Sequence, residues 1–145
     1  MTPEAVAREM LRAFNTNDWE AFRATVADDF AYREHGTSRE AAGADAAMEV
    51  ITPWKVVLGA EHTGELVGIV ADGDRVALQV VWRGRHVAPM PGPDGRPIQP
   101  TGVDVATPAC RVMTVRDDRI TEMDHYFDSL ALMLSIGGVA VPAHA

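Results

Sequence analysis

Apolar residues at Val6, Met10, Leu11 and Phe14 recur at the spacing of one helical face. Thr2 stands where an N-cap hydroxyl belongs, Pro3 suits the first helical position, and Glu4 suits the positive end of the helix dipole. Asn15-Thr16-Asn17-Asp18 interrupts the pattern, and Asn17 or Asp18 can cap a second helix with Trp19, Phe22 and Val26 on one face. A helical hairpin is predicted. Phe30, Tyr32 and Glu34 then alternate with Ala31, Arg33 and His35, a short strand that stops at Gly36-Thr37-Ser38. Ser38 is the predicted start of a third, alanine-rich helix, which should end near Thr52 because Pro53 disfavours helical geometry in the residue before it.

Past Pro53 the period changes from helical to alternating. Val56 to Val70, with glycines at 59, 64 and 68, predicts a bent or bulged strand, and Asp72-Gly73-Asp74 a hairpin turn. The next strand, Arg75 to Val87, carries Val76, Leu78, Val80 and Trp82 on one face. Residues 88 to 100 hold prolines at 89, 91, 93, 97 and 100 and read as a loop or rim ordered by those rings. Gly102 to Val115 is a further strand, with Pro108 marking an edge or a bulge. Asp117-Asp118 turns the chain into a last strand, Arg119 to Phe127, and Leu130 to Ile136 before Gly137-Gly138 predicts a short terminal helix. Helices segregated from a mainly antiparallel sheet make an α+β domain. A strongly curved sheet over the helices would leave a cone-shaped pocket at its open end.

Composition narrows the classes. With 145 residues, 47% of them hydrophobic, the chain is expected to form a single domain over residues 1–145. A net charge of −8 argues against nucleic acid or an anionic membrane as partner. The lone Cys110 excludes an intrachain disulfide and any cysteine-based zinc motif. No apolar run is long enough to span a membrane, and Met1-Thr2-Pro3-Glu4 lacks the pattern of a secretion leader, so a cytoplasmic protein is expected. Neither a His-x-x-x-His spacing nor a glycine-rich cofactor fingerprint occurs, so no metal and no cofactor are expected.

The chemistry concentrates at Glu122-Met123-Asp124-His125-Tyr126-Phe127-Asp128. Strand alternation puts Met123, His125 and Phe127 on one face, the pocket face, with Glu122, Asp124 and Tyr126 on the other, unless a bulge reverses Asp124. Histidine titrates near neutrality, so His125 is the candidate general base. The plainer alternative is a hydrogen-bonded pocket histidine without catalytic duty. Asp104 is expected in a surface ion pair, and His35 and His62 at solvated turns or strand ends.

Several ordered pieces resemble the SnoaL-like polyketide cyclase family of the NTF2-like superfamily, to which limonene epoxide hydrolase and ketosteroid isomerase also belong. They are Phe14-Asn15-Thr16-Asn17-Asp18-Trp19 with Phe22, Asp28-Asp29-Phe30-Ala31-Tyr32, Arg39-Glu40-Ala41, Asp72-Gly73-Asp74-Arg75-Val76-Ala77, Gly95-Arg96-Pro97, and Asp118-Arg119-Ile120 through Tyr126-Phe127-Asp128. The resemblance implies an NTF2-like cone, a hydrophobic pocket, and acid–base chemistry without metal or organic cofactor. Cyclases of this group close polyketide rings by intramolecular aldol reaction; relatives hydrolyse epoxides, hydroxylate polyketides or only bind ligands, and many are homodimers. In many relatives the last strand places the acid–base aspartate directly before Tyr-Phe. Here that position is His125, and the aspartate, Asp124, comes one residue earlier.

The resulting expectation is a cyclase-like enzyme acting on a hydrophobic, oxygenated small molecule, dimeric through the outer face of its sheet. His125 would be the base and Glu34 its orienting partner. Tyr32, or His86 in the family-like Arg83-Gly84-Arg85-His86, would stabilise enolate charge. Trp54, Trp82, Met90, Met123 and Phe127 would line the pocket. The alternative is a binding domain of the same fold that does no chemistry. An epoxide hydrolase or hydroxylase comes third, since Arg83-Gly84-Arg85 supplies no aspartate for the Arg-x-Asp pair of the hydrolase branch.

Overall fold

A computed structural model describes residues 1–140, so residues 141–145 of the expected domain lie outside the described residues. The elements in chain order are α1 (Pro3–Asn15), α2 (Trp19–Ala24), β1 (Val26–Glu34), β2 (Arg39–Ala42), α3 (Ala44–Ile51), α4 (Pro53–Val57), β3 (Thr63–Asp72), β4 (Arg75–Arg85), β5 (Met90–Pro91), β6 (Pro97–Ile98), β7 (Asp104–Arg116), β8 (Arg119–Phe127) and α5 (Ser129–Ser135).

Thr2 caps α1 by accepting the Ala5 N–H at 3.1 Å, and Asp18 caps α2 by accepting that of Ala21 at 3.1 Å. The buried face of α1, Val6, Met10, Leu11 and Phe14, packs on a curved six-stranded sheet in the order β2-β1-β8-β7-β4-β3. Only the β1–β8 pair is parallel. On β4 the apolar alternates Val76, Leu78, Val80 and Trp82 are all buried against the helices. A register shift between Leu66 and Gly68 is the bulge the glycines of β3 foretell. At the end of α1, Asn15 ties the helix to the sheet: its amide donates to the Gly64 carbonyl at 2.9 Å and its oxygen accepts the Gly64 N–H at 2.8 Å. Pro108 lies just past the last β7–β8 pair, Ala109 with Phe127, where β7 has only β4 beside it. The missing N–H therefore costs the sheet nothing.

Four expectations from the chain order need correction. The second helix ends at Ala24, and Val26, expected on its face, begins β1. Ser38 does not start a helix. It takes a left-handed turn (φ 58°), Arg39–Ala42 pairs with Ala31–Glu34 as β2, and the helix begins only after Gly43 (φ 97°). A ladder along the open edge of β1 outweighs the helix preference of two alanines, which amounts to only tenths of a kcal/mol per residue. The strand expected from Val56 to Val70 starts later: Val56 lies in the helical turn α4, which has Pro53 in its first turn, and β3 begins at Thr63. The proline-rich rim contains a small hairpin, β5 with β6.

Two apolar clusters result. The larger joins α1, α2, α3 and the concave sheet face; the smaller gathers Leu58, Met90, Val105, Leu132 and Ile136. Among the described residues no helix is long and apolar enough to cross a membrane. Gly64 controls the seam between sheet and helix, because a Cβ there would stand 2.7 Å from the Trp82 ring and 2.9 Å from Leu11 Cδ1. Gly64→Ala is expected to displace Trp82 and cost about 1–3 kcal/mol, read as a lower urea midpoint; an unchanged midpoint would show that Trp82 yields freely.

Candidate active site

The site lies where the two apolar clusters meet, and register brings its polar groups together. Glu34 is the cross-strand partner of His125 on β1–β8, and Arg111 is its partner on β7–β8. Along β8, Met123 and His125 are buried and Phe127 lines the interior, while Tyr126 is exposed and Asp124 turns outward to Arg33 and His35.

Donor and acceptor chemistry fixes the protons. Trp82 Nε1 donates to His125 Nε2 at 3.0 Å, and an indole N–H can only donate, so Nε2 carries a lone pair. The proton of the neutral ring is therefore on Nδ1, which donates to the Tyr32 hydroxyl oxygen at 3.0 Å. The Tyr32 O–H in turn donates to Glu34 Oε2 at 2.8 Å. That carboxylate oxygen also accepts from Trp54 Nε1 at 3.0 Å. Oε1 accepts from Thr37 Oγ1 at 2.7 Å and from Arg39 Nη2 at 2.6 Å. Glu34 and His125 thus belong to one hydrogen-bonded chain in which Tyr32 stands between them.

Burial pushes the His125 pKa well below the ordinary histidine value, and the nearby Arg111 charge adds to the depression. Burial, and then the Glu34 charge, raises the Tyr32 pKa well above that of a free phenol. His62, expected at a solvated turn, is instead buried, with Nδ1 donating to the Arg83 carbonyl at 3.0 Å; desolvation brings its pKa to about 4, against the opposing pull of that bond. Lys55 donates to the His62 carbonyl and stands 4.3 Å over the Phe14 ring, and burial lowers its pKa to about 8.

The inner cavity, about 30 Å³, is lined by Tyr32, His62, Trp82, Thr107, Arg111 and His125 together with apolar side chains. That is room for a water or one compact functional group. A vestibule of about 540 Å³ lies toward α4, the rim and α5, lined by Arg39, Met90, Leu130 and Met133 among others, and Trp54 lines both spaces. Of the predicted residues, Trp54, Trp82 and Phe127 line the inner cavity and Met90 the vestibule. Met123 is sealed in the larger core and lines neither. His86 is fully buried beside Thr101, 3.3 Å from its hydroxyl, and lines neither space. Asp104 pairs with Arg85 at 2.9 Å in an exposed ion pair. Asp124 is held at a pKa of about 2, chiefly by its hydrogen bond with Arg33.

Arg111 is the site residue the sequence reading missed. Its signal is positional: it occupies the inward slot of the alternation Val105, Thr107, Ala109, Arg111, Met113, whose other members are apolar or small.

The curved sheet over helices is an NTF2-like, ketosteroid isomerase-like fold. A protein of that fold from Catenulispora acidiphila DSM 44928 matches with a TM-score of 0.76 at 16% identity, over 98% of this chain and 100% of the other. The chain belongs to the SnoaL-like polyketide cyclase family, whose model matches residues 4–136. IdmH of Streptomyces antibioticus, a proposed polyketide cyclase, is similar over 94% of this chain and 99% of its own, with 26% identity and a TM-score of 0.81. AclR of Streptomyces galilaeus, a proposed hydroxylase, is similar over 96% and 87% respectively, with 19% identity and a TM-score of 0.81. No curated protein matches.

The two buried neutral histidines have a consequence for stability. His125 and His62 protonate near pH 6.5 in the unfolded chain but only at lower pH in the fold, so the unfolded state binds more protons as pH drops through that value. Stability should be full above about pH 6.5 and decline below it, giving a lower urea midpoint at about pH 5 than at about pH 7.5. A midpoint independent of pH over that window would contradict the neutral assignment.

Proposed function

We propose that this protein is a cofactor-independent acid–base enzyme acting on a hydrophobic, oxygenated small molecule, with intramolecular aldol ring closure as its reaction. The observation that carries this reading is the buried chain from His125 through Tyr32 to Glu34 beside an apolar cavity. Family membership supports the cyclase reaction class.

In the proposed reaction His125 Nε2 removes a proton α to a substrate carbonyl, and the C–H electron pair becomes the enolate. The enolate carbon attacks a second carbonyl of the same molecule. The alkoxide so formed takes the proton back from His125. For Nε2 to act, the Trp82 N–H must give way to the substrate. Tyr32 is a link in this scheme, because its proton is committed to Glu34. Glu34 balances the transient imidazolium through Tyr32, and five donor contacts hold its carboxylate in place. The second reading, a binding domain without turnover, draws support from the engagement of both His125 nitrogens.

A test independent of the natural substrate is α-proton exchange of 1-tetralone in D₂O, followed by NMR. His125→Ala is expected to slow the enzyme-dependent exchange by about 10²–10⁴-fold with the fold retained by circular dichroism, and unchanged exchange would sink the assignment. The base must be unprotonated, and burial holds its pKa low, so the acid limb of the pH–rate profile should fall below about pH 6.5. A limb at or above that value would point to a different base.

A further inference from the structure

Arg111 carries a charge that the rest of the site leaves unmatched. Its side chain is 2% exposed, and among the described residues Nε and Nη1 have no hydrogen-bond partner. A guanidinium binds a carboxylate along one of two edges, Nε with Nη2 or Nη1 with Nη2, so neither edge is occupied by a two-point partner. Two aromatic rings stand to one side of it: the guanidinium carbon is 4.5 Å from the Trp82 ring centre and 5.7 Å from that of Phe14, and the two ring centres are 5.1 Å apart. Cation–π contact offsets part of the desolvation but satisfies no N–H. What remains unpaired is the edge of the guanidinium, the direction from which a planar oxyanion is bound.

The surrounding charges agree. The chain as a whole carries −8, yet of the ionisable side chains that line this cavity Arg111 is the cation, His62 and His125 are held neutral by burial, and the nearest carboxylate, Glu34 behind Tyr32, is paired with Arg39. The cavity is an electropositive point in an acidic protein. Its volume, about 30 Å³, suits one compact group, and Trp54 lines both this cavity and the vestibule of about 540 Å³ walled by Met90, Leu130 and Met133.

We propose that Arg111 makes the inner cavity a receptor for a single carboxylate carried on an apolar body that lies in the vestibule. The proposal rests on the reading of this cavity as the ligand site but needs no turnover. It makes Arg111 the residue that selects acids over their neutral analogues. It also accounts for a charge buried where an apolar side chain would pack without penalty.

Calorimetric titration of the whole chain with 2-naphthoate and, separately, 2-naphthamide tests it, since the two probes differ in charge and hardly in shape. The wild type should bind the carboxylate at least roughly tenfold more tightly than the amide. Arg111→Gln should erase that preference through loss of carboxylate affinity, and Arg111→Lys, which keeps the charge but loses the two-point edge, should retain part of it. Equal binding of the two probes by the wild type, or no naphthoate binding at millimolar concentration, overturns the proposal. So does a preference that survives Arg111→Gln, which would place the anion at Arg39 in the vestibule. If Arg111→Gln fails to fold, the wild-type comparison and Arg111→Lys still decide. Because binding is read at equilibrium, a failed anion test leaves the exchange chemistry of His125 untouched, and a protein without exchange activity can still pass the anion test.

Discussion

The structure turns on keeping one carboxylate charged and out of water. The Glu34 side chain is fully buried, and an ionised carboxylate survives there only if hydrogen bonds replace its hydration. Its donors come from different places: Thr37 in the turn after β1, Arg39 at the start of β2, Trp54 on α4, and Tyr32 on its own strand. Gathering them curls the chain back so that β2 pairs with β1, points the Trp54 indole inward between cavity and vestibule, and holds the phenol that contacts His125. The edge strand, the position of the indole that lines both spaces and the tautomer of the histidine are consequences of satisfying the same group.

The state of His125 follows from distance. A carboxylate touching the ring would favour its charged form, but here a neutral phenol intervenes, with bonds of 3.0 and 2.8 Å in series. Coulomb attraction weakens with that separation, while the desolvation of a buried ring applies in full, and Arg111 adds repulsion. Burial wins. One residue away, on the outer face of β8, Asp124 stays ionised down to a pKa of about 2 because Arg33 and His35 contact it directly near solvent. Strand pleating separates two electrostatic regimes that are neighbours in sequence.

Much of the frame was legible in the sequence because it depends on local periodicity. The face of α1, the hairpin at Gly73, the bulge in β3 and the inward set of β4 all follow from spacing and turn chemistry. So does the division of β8 into an inward His125 and an outward Asp124. The family was legible because many weak motifs fall in one order along the chain. Ser38–Ala42 and the stretch from Val56 to the start of β3 differ from expectation because their conformations answer to partners elsewhere: β1 for the first, and for the second the helical turn that carries the Trp54 indole.

The sequence by itself therefore determined which faces are apolar, where the chain turns, and which family it joins, since a side-chain period of two or 3.6 residues is a property of neighbouring positions. Tertiary structure alone decided that Tyr32 stands between Glu34 and His125, that His62 is buried, and that Arg111 faces inward. These depend on cross-strand register and on whether a charge finds water or a ring face. A strand's sequence does not encode its partner's offset, and an arginine in a strand reads as solvent-facing until the sheet curves around it.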